Sequence, residues 1–428
     1  MKKIRIKNGL VLIKTDSGYE TKNADVVIKD NVIEEITSAS DSQDNEETVD
    51  ARGKLVMPGL INNHTHLYMT AMRNFADDLA FDDWLFGKIM PAENKLSEEF
   101  AYYSCLLGTM EMLSSGTTCF MDMHMFKNQS CKAVDLSGMR AYIGRCVVGE
   151  DLYGDGKSRF DEALAEQEEF EGERIKFVLS PHAIYSCSTK LLEQIRDEAA
   201  SRNMLKQIHA SESDNEIKNS IAKFGKRPIE YLADMGFLDN KTLLAHCVKV
   251  NDSEIDILKT KNASVVTNPA SNLKLGNGVA PVVTMLNKGV NLCLGTDSAA
   301  SNNTLNMFRE MGIFSLIHKG VNFDSSVLPS STVIDTATVN AAKAVGMEGK
   351  LGEIKKGALA DLALIDLDRL SLFPHNNIVS SLSNSANGTE VSSVMVDGKW
   401  VMRNNEYTNI DKEKVLFQVD RLAKKYLN

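Results

Sequence analysis

The chain has 428 residues, 43% hydrophobic and 25% charged, enough to bury the core of one large domain with an appendage or of two domains. A formal net charge of −10 with no long basic run argues against nucleic acid or an anionic membrane as partner. Seven cysteines without C-x-x-C spacing, a start without a signal-type apolar run, and no stretch near the ~20 apolar residues of a membrane span predict a soluble cytoplasmic protein with reduced thiols.

Residues 1 to about 57 read as strands and tight turns. IRIKNGLVLI alternates, Asn8-Gly9 and Asp30-Asn31 are turn signals, and ADVVIKDNVIEEI has the pattern of a hairpin. The same texture returns near the C-terminus, where VSSVMVDGKWVM puts Asp397-Gly398 between two apolar runs. The two β-rich ends, 1–57 and 355–428, are therefore expected to pair into one small β-sandwich around a different middle, 58–354.

That middle opens with PGLINNHTH, in which Gly59 to Asn62 reads as a short buried strand followed by His64 and His66. Side chains two apart on a strand share a face, so both imidazoles aim at one point, as at the start of a site for zinc or a similar metal. Further apolar runs follow at 117–123, 140–148, 175–182, 205–212, 242–248, 264–271 and 291–297. Helical patterns lie between them. SEEFAYYSCLLGTMEMLSSG has Ser97 as N-cap and Gly116 as a stop, and in SAASNNTLNMFREMGIFSLIHK the cap is placed at Asn303 or Thr304. Eight strands, mostly followed by helices, predict an α/β protein built on a (β/α)₈ TIM barrel; the competing open doubly wound sheet lacks a Gly-rich loop after its first strand.

His64, His66, His182, His209, Glu212, His246 and Asp297 all fall at the C-terminal ends of predicted strands, the face that carries barrel active sites. Five of the eight histidines of the chain belong to this set. Three imidazoles (His64, His66, His209) and one carboxylate (Asp297) suit a single zinc or iron ion with a position left for water, whose pKa such an ion lowers toward 7. Glu212, three residues after His209, is placed to carry a proton without ligating, and His246 to hydrogen-bond the nucleophile. Each has a plainer alternative: His182 as a packed loop histidine, His246 as a core histidine, Asp297 as the cap of the following helix. His124, His318 and His375 are expected to have no catalytic duty. Binuclear barrel hydrolases often bridge two metals through a carboxylated lysine near the end of the fourth strand. Here that run ends Leu179-Ser180-Pro181-His182, which points to one metal.

By these residues, and by FADDLAFDDWL, LSSGTTCFMDM, PHAIYSCS, HASES, GKRPIEYL, AHCV, NPASNLKLGNG and GTDSAASNN along nearly the whole chain, the sequence resembles the amidohydrolase superfamily. Within it, the chain looks like the 5-methylthioadenosine/S-adenosylhomocysteine deaminases. The resemblance implies His64, His66, His209 and Asp297 as metal ligands and Glu212 as proton shuttle. It also implies Glu93 as the acceptor for ribose hydroxyls, with Arg145 and His182 touching substrate. It implies one divalent metal per chain, zinc or iron, a purine nucleoside as small-molecule substrate, and a homo-oligomer as one possible state. Ser298 stands where the family usually has glycine, and His124 follows Met123 where it often has an aromatic residue. A guanine- or cytosine-type base deaminase and an s-triazine hydrolase stay open as alternatives, with Glu93 discriminating, since a free base has no ribose. A metal-binding scaffold without catalysis is disfavoured by the intact Glu212.

Overall fold

The eight apolar runs of the middle become eight parallel strands in the computed structural model, which describes residues 3–38 and 47–427. Ahead of them come β1 (Lys3–Thr15), β2 (Gly18–Lys29), β3 (Val32–Ser38), β4 (Glu47–Asp50) and β5 (Lys54–Pro58). The barrel strands are β6 (Leu60–Thr65), β7 (Thr117–His124), β8 (Arg140–Val147), β9 (Ile175–Pro181), β10 (Leu205–Ala210), β11 (Thr242–His246), β12 (Ser264–Thr267) and β13 (Asn291–Leu294). They pair in chain order. β14 (Leu362–Asp366), β15 (Val391–Val396), β16 (Lys399–Arg403) and β17 (Glu406–Tyr407) complete the set.

β7 and β8 are buried along their whole length, which is why they read as near-continuous apolar runs: helices cover one face and the barrel interior the other. Ile61, Met121, Tyr142, Val178, Leu243, Val266 and Cys293 fill that interior, and the helix Val339–Ala344 packs onto the same cluster. The polar ends of the strands stand above this plug. The barrel closes just beyond β13, where the Asp297 N–H donates to the His64 carbonyl at 2.9 Å and the Thr296 N–H donates to Asn62 Oδ1 at 3.0 Å.

The two ends of the chain do pair. β5 runs antiparallel to β14, joining the N- and C-terminal strands into one nine-stranded mixed sheet with its own core of Ile4, Ile6, Val26, Ile28, Val56, Leu362 and Leu364. The β2–β3 hairpin turns at Asp30 (φ 55) and the β15–β16 hairpin at Asp397 (φ 51) and Gly398 (φ 71), the left-handed pair that a two-residue loop requires. Asn8-Gly9 is not a turn. Asn8 (φ 59) sits in a bulge inside β1, its N–H donated to Asp25 Oδ1 at 2.9 Å, and the strand runs on to Thr15.

Ser97 caps the helix Glu98–Ser114 as expected, accepting from the Phe100 N–H at 3.2 Å. The helix expected after residue 300 is instead two. Ala299–Asn302 is capped by Ser298, and Asn303 (φ 75) ends it; Met307–Asn322 is capped by Asn306, whose Oδ1 takes the Phe308 and Arg309 N–H groups. Among the described residues no helix is long and apolar enough to cross a membrane.

Candidate active site

His64 and His66 share the inward face of the first barrel strand and its end, and their ring centroids are 4.9 Å apart. His209, near the end of β10, brings a third ring 4.8 Å from His64 and 5.3 Å from His66. Each ring is fixed through Nδ1. His66 Nδ1 meets the Met123 carbonyl and His209 Nδ1 the His182 carbonyl, both at 2.8 Å. A carbonyl only accepts, so both Nδ1 atoms carry hydrogen and both Nε2 atoms present lone pairs. His64 Nδ1 is 3.2 Å from Gln207 Oε1, and the Gln207 amide nitrogen donates to the Asn63 carbonyl at 2.8 Å, which turns the amide oxygen toward the ring and imposes the same tautomer.

Three Nε2 lone pairs therefore converge. Those of His66 and His209 are 3.3 Å apart, and that of His64 is buried without a hydrogen-bond partner among the described residues. Lone pairs so placed repel unless something positive lies between them. Burial pulls the His64 pKa to about 4 and that of His209 well below its ordinary value, so near neutral pH a proton is not that positive charge. A divalent metal is, and the donor set fits one.

Asp297 Oδ1 lies 3.5 Å from His64 Nε2 and 3.4 Å from His66 Nε2. The other carboxylate oxygen accepts from the hydroxyls of Ser271 and Ser301, each at 2.7 Å. Burial alone would raise this pKa, but the surrounding imidazoles, His64 first among them, hold it well below the carboxylate range. The capping role that Asp297 might have had belongs to Ser298, whose Oγ accepts the Ser301 N–H at 3.0 Å.

Glu212 follows Ser211, a left-handed residue (φ 53) that bends the chain out of β10. Its N–H donates to Glu216 Oε2 at 2.7 Å, and its Oε1 accepts from Asn277 Nδ2 at 3.0 Å. Oε2 is left facing the site, 3.7 Å from His246 Nε2. Burial raises the Glu212 pKa, which suits a group that must both hold and release a proton. His246 ends β11 with φ 75, and its Nδ1 meets Asn272 Oδ1 at 2.9 Å. Burial would lower its pKa, but the Glu212 and Asp297 carboxylates outweigh that and raise it.

A cavity of about 660 Å³ opens above these residues. One wall is the segment from Phe81 to Asn94, a π-helical turn Asp83–Ile89 running into the short helix Met90–Glu93. Glu93 lines it, with burial raising its pKa, and accepts a hydrogen bond from the Tyr68 hydroxyl. His182 lines it too. Ser186 Oγ donates to the Ala183 carbonyl at 3.2 Å and meets His182 Nδ1 at 2.9 Å; burial pulls the His182 pKa to about 3, leaving a neutral ring with Nε2 free to accept.

Arg145 is not in the cavity. Cys146 and Val148 line it, so strand alternation sends Arg145 outward to the helix Lys157–Phe170, where Glu162 Oε2 accepts from it at 2.6 and 2.9 Å. The guanidinium that reaches the cavity is Arg159, from that same helix, donating to the Cys146 carbonyl at 3.1 Å. Counting parity along the strand would have excluded Arg145, but nothing local in the sequence marks Arg159. Trp84 Nε1, buried in the cavity wall, has no hydrogen-bond partner among the described residues. His124 is packed against Glu166 behind the wall, 3.1 Å from its Oε2.

The model of the amidohydrolase family matches residues 55–401. The chain is 42% identical to the 5-methylthioadenosine/S-adenosylhomocysteine deaminase of Acetivibrio thermocellus, over 99% of both chains. It is 41% identical to the 5'-deoxyadenosine deaminase of Methanocaldococcus jannaschii, over 94% of this chain and 96% of that one. Among solved structures, an adenosine deaminase from Xanthomonas campestris with bound zinc superposes with a TM-score of 0.94 at 28% identity, covering 99% of this chain and 98% of that one. An atrazine chlorohydrolase from Arthrobacter aurescens complexed with zinc reaches 0.91 at 22% identity, over 98% of this chain and 99% of that one, a likeness of fold.

Proposed function

Since the chain belongs to the amidohydrolase family, we propose that it is a hydrolytic deaminase of an adenosine-type nucleoside, releasing ammonia and the inosine-type product. The substrates considered are 5-methylthioadenosine, S-adenosylhomocysteine, 5'-deoxyadenosine and adenosine. One divalent metal per chain, zinc as in the Xanthomonas campestris neighbour or else iron, would be held by His64, His66, His209 and Asp297. The observation that carries the proposal is a hydrolytic floor and a sugar acceptor in one cavity: converging Nε2 lone pairs beneath, and the buried carboxylate of Glu93 in the wall.

The metal supplies Lewis acidity, which brings the pKa of water from about 15.7 toward 7. Glu212 receives a proton from the attacking water at Oε2 and returns it to ring nitrogen 1, while Asn277 keeps the other oxygen occupied. His246 and Asp297 flank the nucleophile on carbon 6 and hold it in line for attack. Proton transfer from that oxygen to the exocyclic nitrogen then lets ammonia leave. Glu93 accepts from ribose, and His182, neutral at working pH, meets the nucleoside with a lone pair. Arg159 supplies the cation that had been expected from Arg145.

Ammonia release from adenosine, 5'-deoxyadenosine, 5-methylthioadenosine, S-adenosylhomocysteine, guanine, cytosine and an s-triazine tests the proposal. Nucleosides should be turned over with kcat/KM at least about a hundredfold above any free base, given the charge-assisted bonds a ribose adds. A preference for guanine, cytosine or the triazine would overturn it.

A further inference from the structure

We propose that Tyr68 is the residue that sets which sugar hydroxyl this site reads, an inference that rests on Glu93 being the ribose acceptor. Tyr68 lies in the 3₁₀ turn Leu67–Met72, directly after His66, and so belongs to the floor of the cavity. Glu93 belongs to the wall, at the end of the helix Met90–Glu93. The Tyr68 hydroxyl donates to Glu93 Oε1 across the gap between them. Its ring is 3% exposed and packs on Phe126 with centroids 5.5 Å apart, which holds the hydroxyl in place.

Among the described residues this phenol is the one hydrogen-bond donor to the Glu93 carboxylate. A buried carboxylate that takes one hydrogen bond on one oxygen still needs a donor on the other. Oε2 is that oxygen, and both residues line the cavity. The grip on the sugar is then asymmetric. One hydroxyl donates to the charged Oε2, while the other finds the phenolic oxygen, which has given its hydrogen to Glu93 and keeps only neutral lone pairs. A bond to a charged group is worth roughly tenfold to a hundredfold in affinity, and a neutral one a fewfold. Tyr68 thus makes the two hydroxyls unequal and holds Glu93 in the orientation that serves the first.

The test compares wild type with Tyr68→Phe on adenosine, 2'-deoxyadenosine, 3'-deoxyadenosine and 2',3'-dideoxyadenosine, with bound metal measured in each protein. In the wild type, removing one hydroxyl should cost tenfold or more in kcat/KM and removing the other no more than about fivefold. Tyr68→Phe should raise KM for adenosine about tenfold with kcat within twofold. It should leave the dideoxy compound and the metal content unchanged, and bring the weaker hydroxyl's contribution to nothing. An unchanged KM for adenosine would overturn the role of Tyr68. So would a fall in kcat shared equally by adenosine and the dideoxy compound, or loss of metal, either of which would make Tyr68 a support of the floor. A wild type that takes the dideoxy compound as well as adenosine would overturn the ribose reading itself, and this inference with it.

Discussion

Gln207 never reaches the cavity, yet it decides which nitrogen of His64 is free. Its amide is held by the Asn63 carbonyl, so only its oxygen can face the imidazole. Gln207→Leu removes that constraint and should weaken metal affinity about ten- to a hundredfold, read by competition with a chelator, with turnover recovering at excess metal. If affinity is unchanged, the tautomer argument is wrong. Glu212→Gln asks the complementary question. The amide oxygen can still accept from Asn277, but the group can no longer carry a proton. Turnover should fall at least ~100-fold with metal content intact, and near-normal turnover would assign the shuttle elsewhere. At this scale the sequence was legible where chemistry coincides with a strand end. His64, His66, His209, Glu212, His246 and Asp297 all meet at the barrel mouth. It was illegible for Arg159, Asn277 and Gln207, because helix faces and amide orientations depend on contacts distant in the chain.

The helix Asp214–Phe224 begins with a carboxylate doing something a cap does not usually do. Ser213 is the N-cap, but Glu216 turns back past it to take the Glu212 N–H, with its other oxygen buried and without a partner among the described residues. Burial pushes the Glu216 pKa up to about 7 from 4.5. Folded-state elevation means that the native protein binds a proton the unfolded chain releases. The stabilisation is present below pH 4.5 and is lost as pH rises through 7, a change of about 3 kcal/mol. Glu216→Gln mimics the protonated form and should lose less stability than wild type between pH 5 and pH 8 in denaturant titrations. Parallel losses in both proteins would show that Glu216 is not the titrating group. Element boundaries were legible from local caps such as Ser97, whereas the split at Asn303 and the bulge at Asn8 were not. In both cases an asparagine signal was satisfied by a left-handed residue in a context only the tertiary fold supplies: the end of a one-turn helix, and a bond to Asp25.

Across the whole molecule, the barrel and the terminal sheet are fastened at Arg140. Its Nε and Nη2 donate to Asp361 at 2.8 and 3.0 Å, and Nη2 also donates to Asp397 at 3.1 Å. Arg140 and Asp361 are both nearly inaccessible. Asp361→Ala leaves a buried guanidinium short of its main partner and should cost roughly 3–5 kcal/mol, seen as a lowered unfolding midpoint, with kcat/KM within twofold of wild type. Wild-type stability in that variant would mean the contact holds nothing together. That the two β-rich ends would pair was readable from their shared texture. This clasp was not, since its residues lie in separate segments and look locally like ordinary surface charges.

The seam of the barrel also bears on how the molecule is made. The proposed ligand set draws on the first barrel strand and on Asp297, three residues past the end of the last, joined by the Asp297 N–H to the His64 carbonyl. A growing chain on the ribosome that has not yet reached Asp297 has made the three imidazoles of that set but not its carboxylate. The full set of four would come together only once the barrel is finished. An ion at a thousand times its Kd then adds about 4 kcal/mol against unfolding. Cells short of the metal should therefore turn this protein over faster, because the newly made molecules stay without their last fastening.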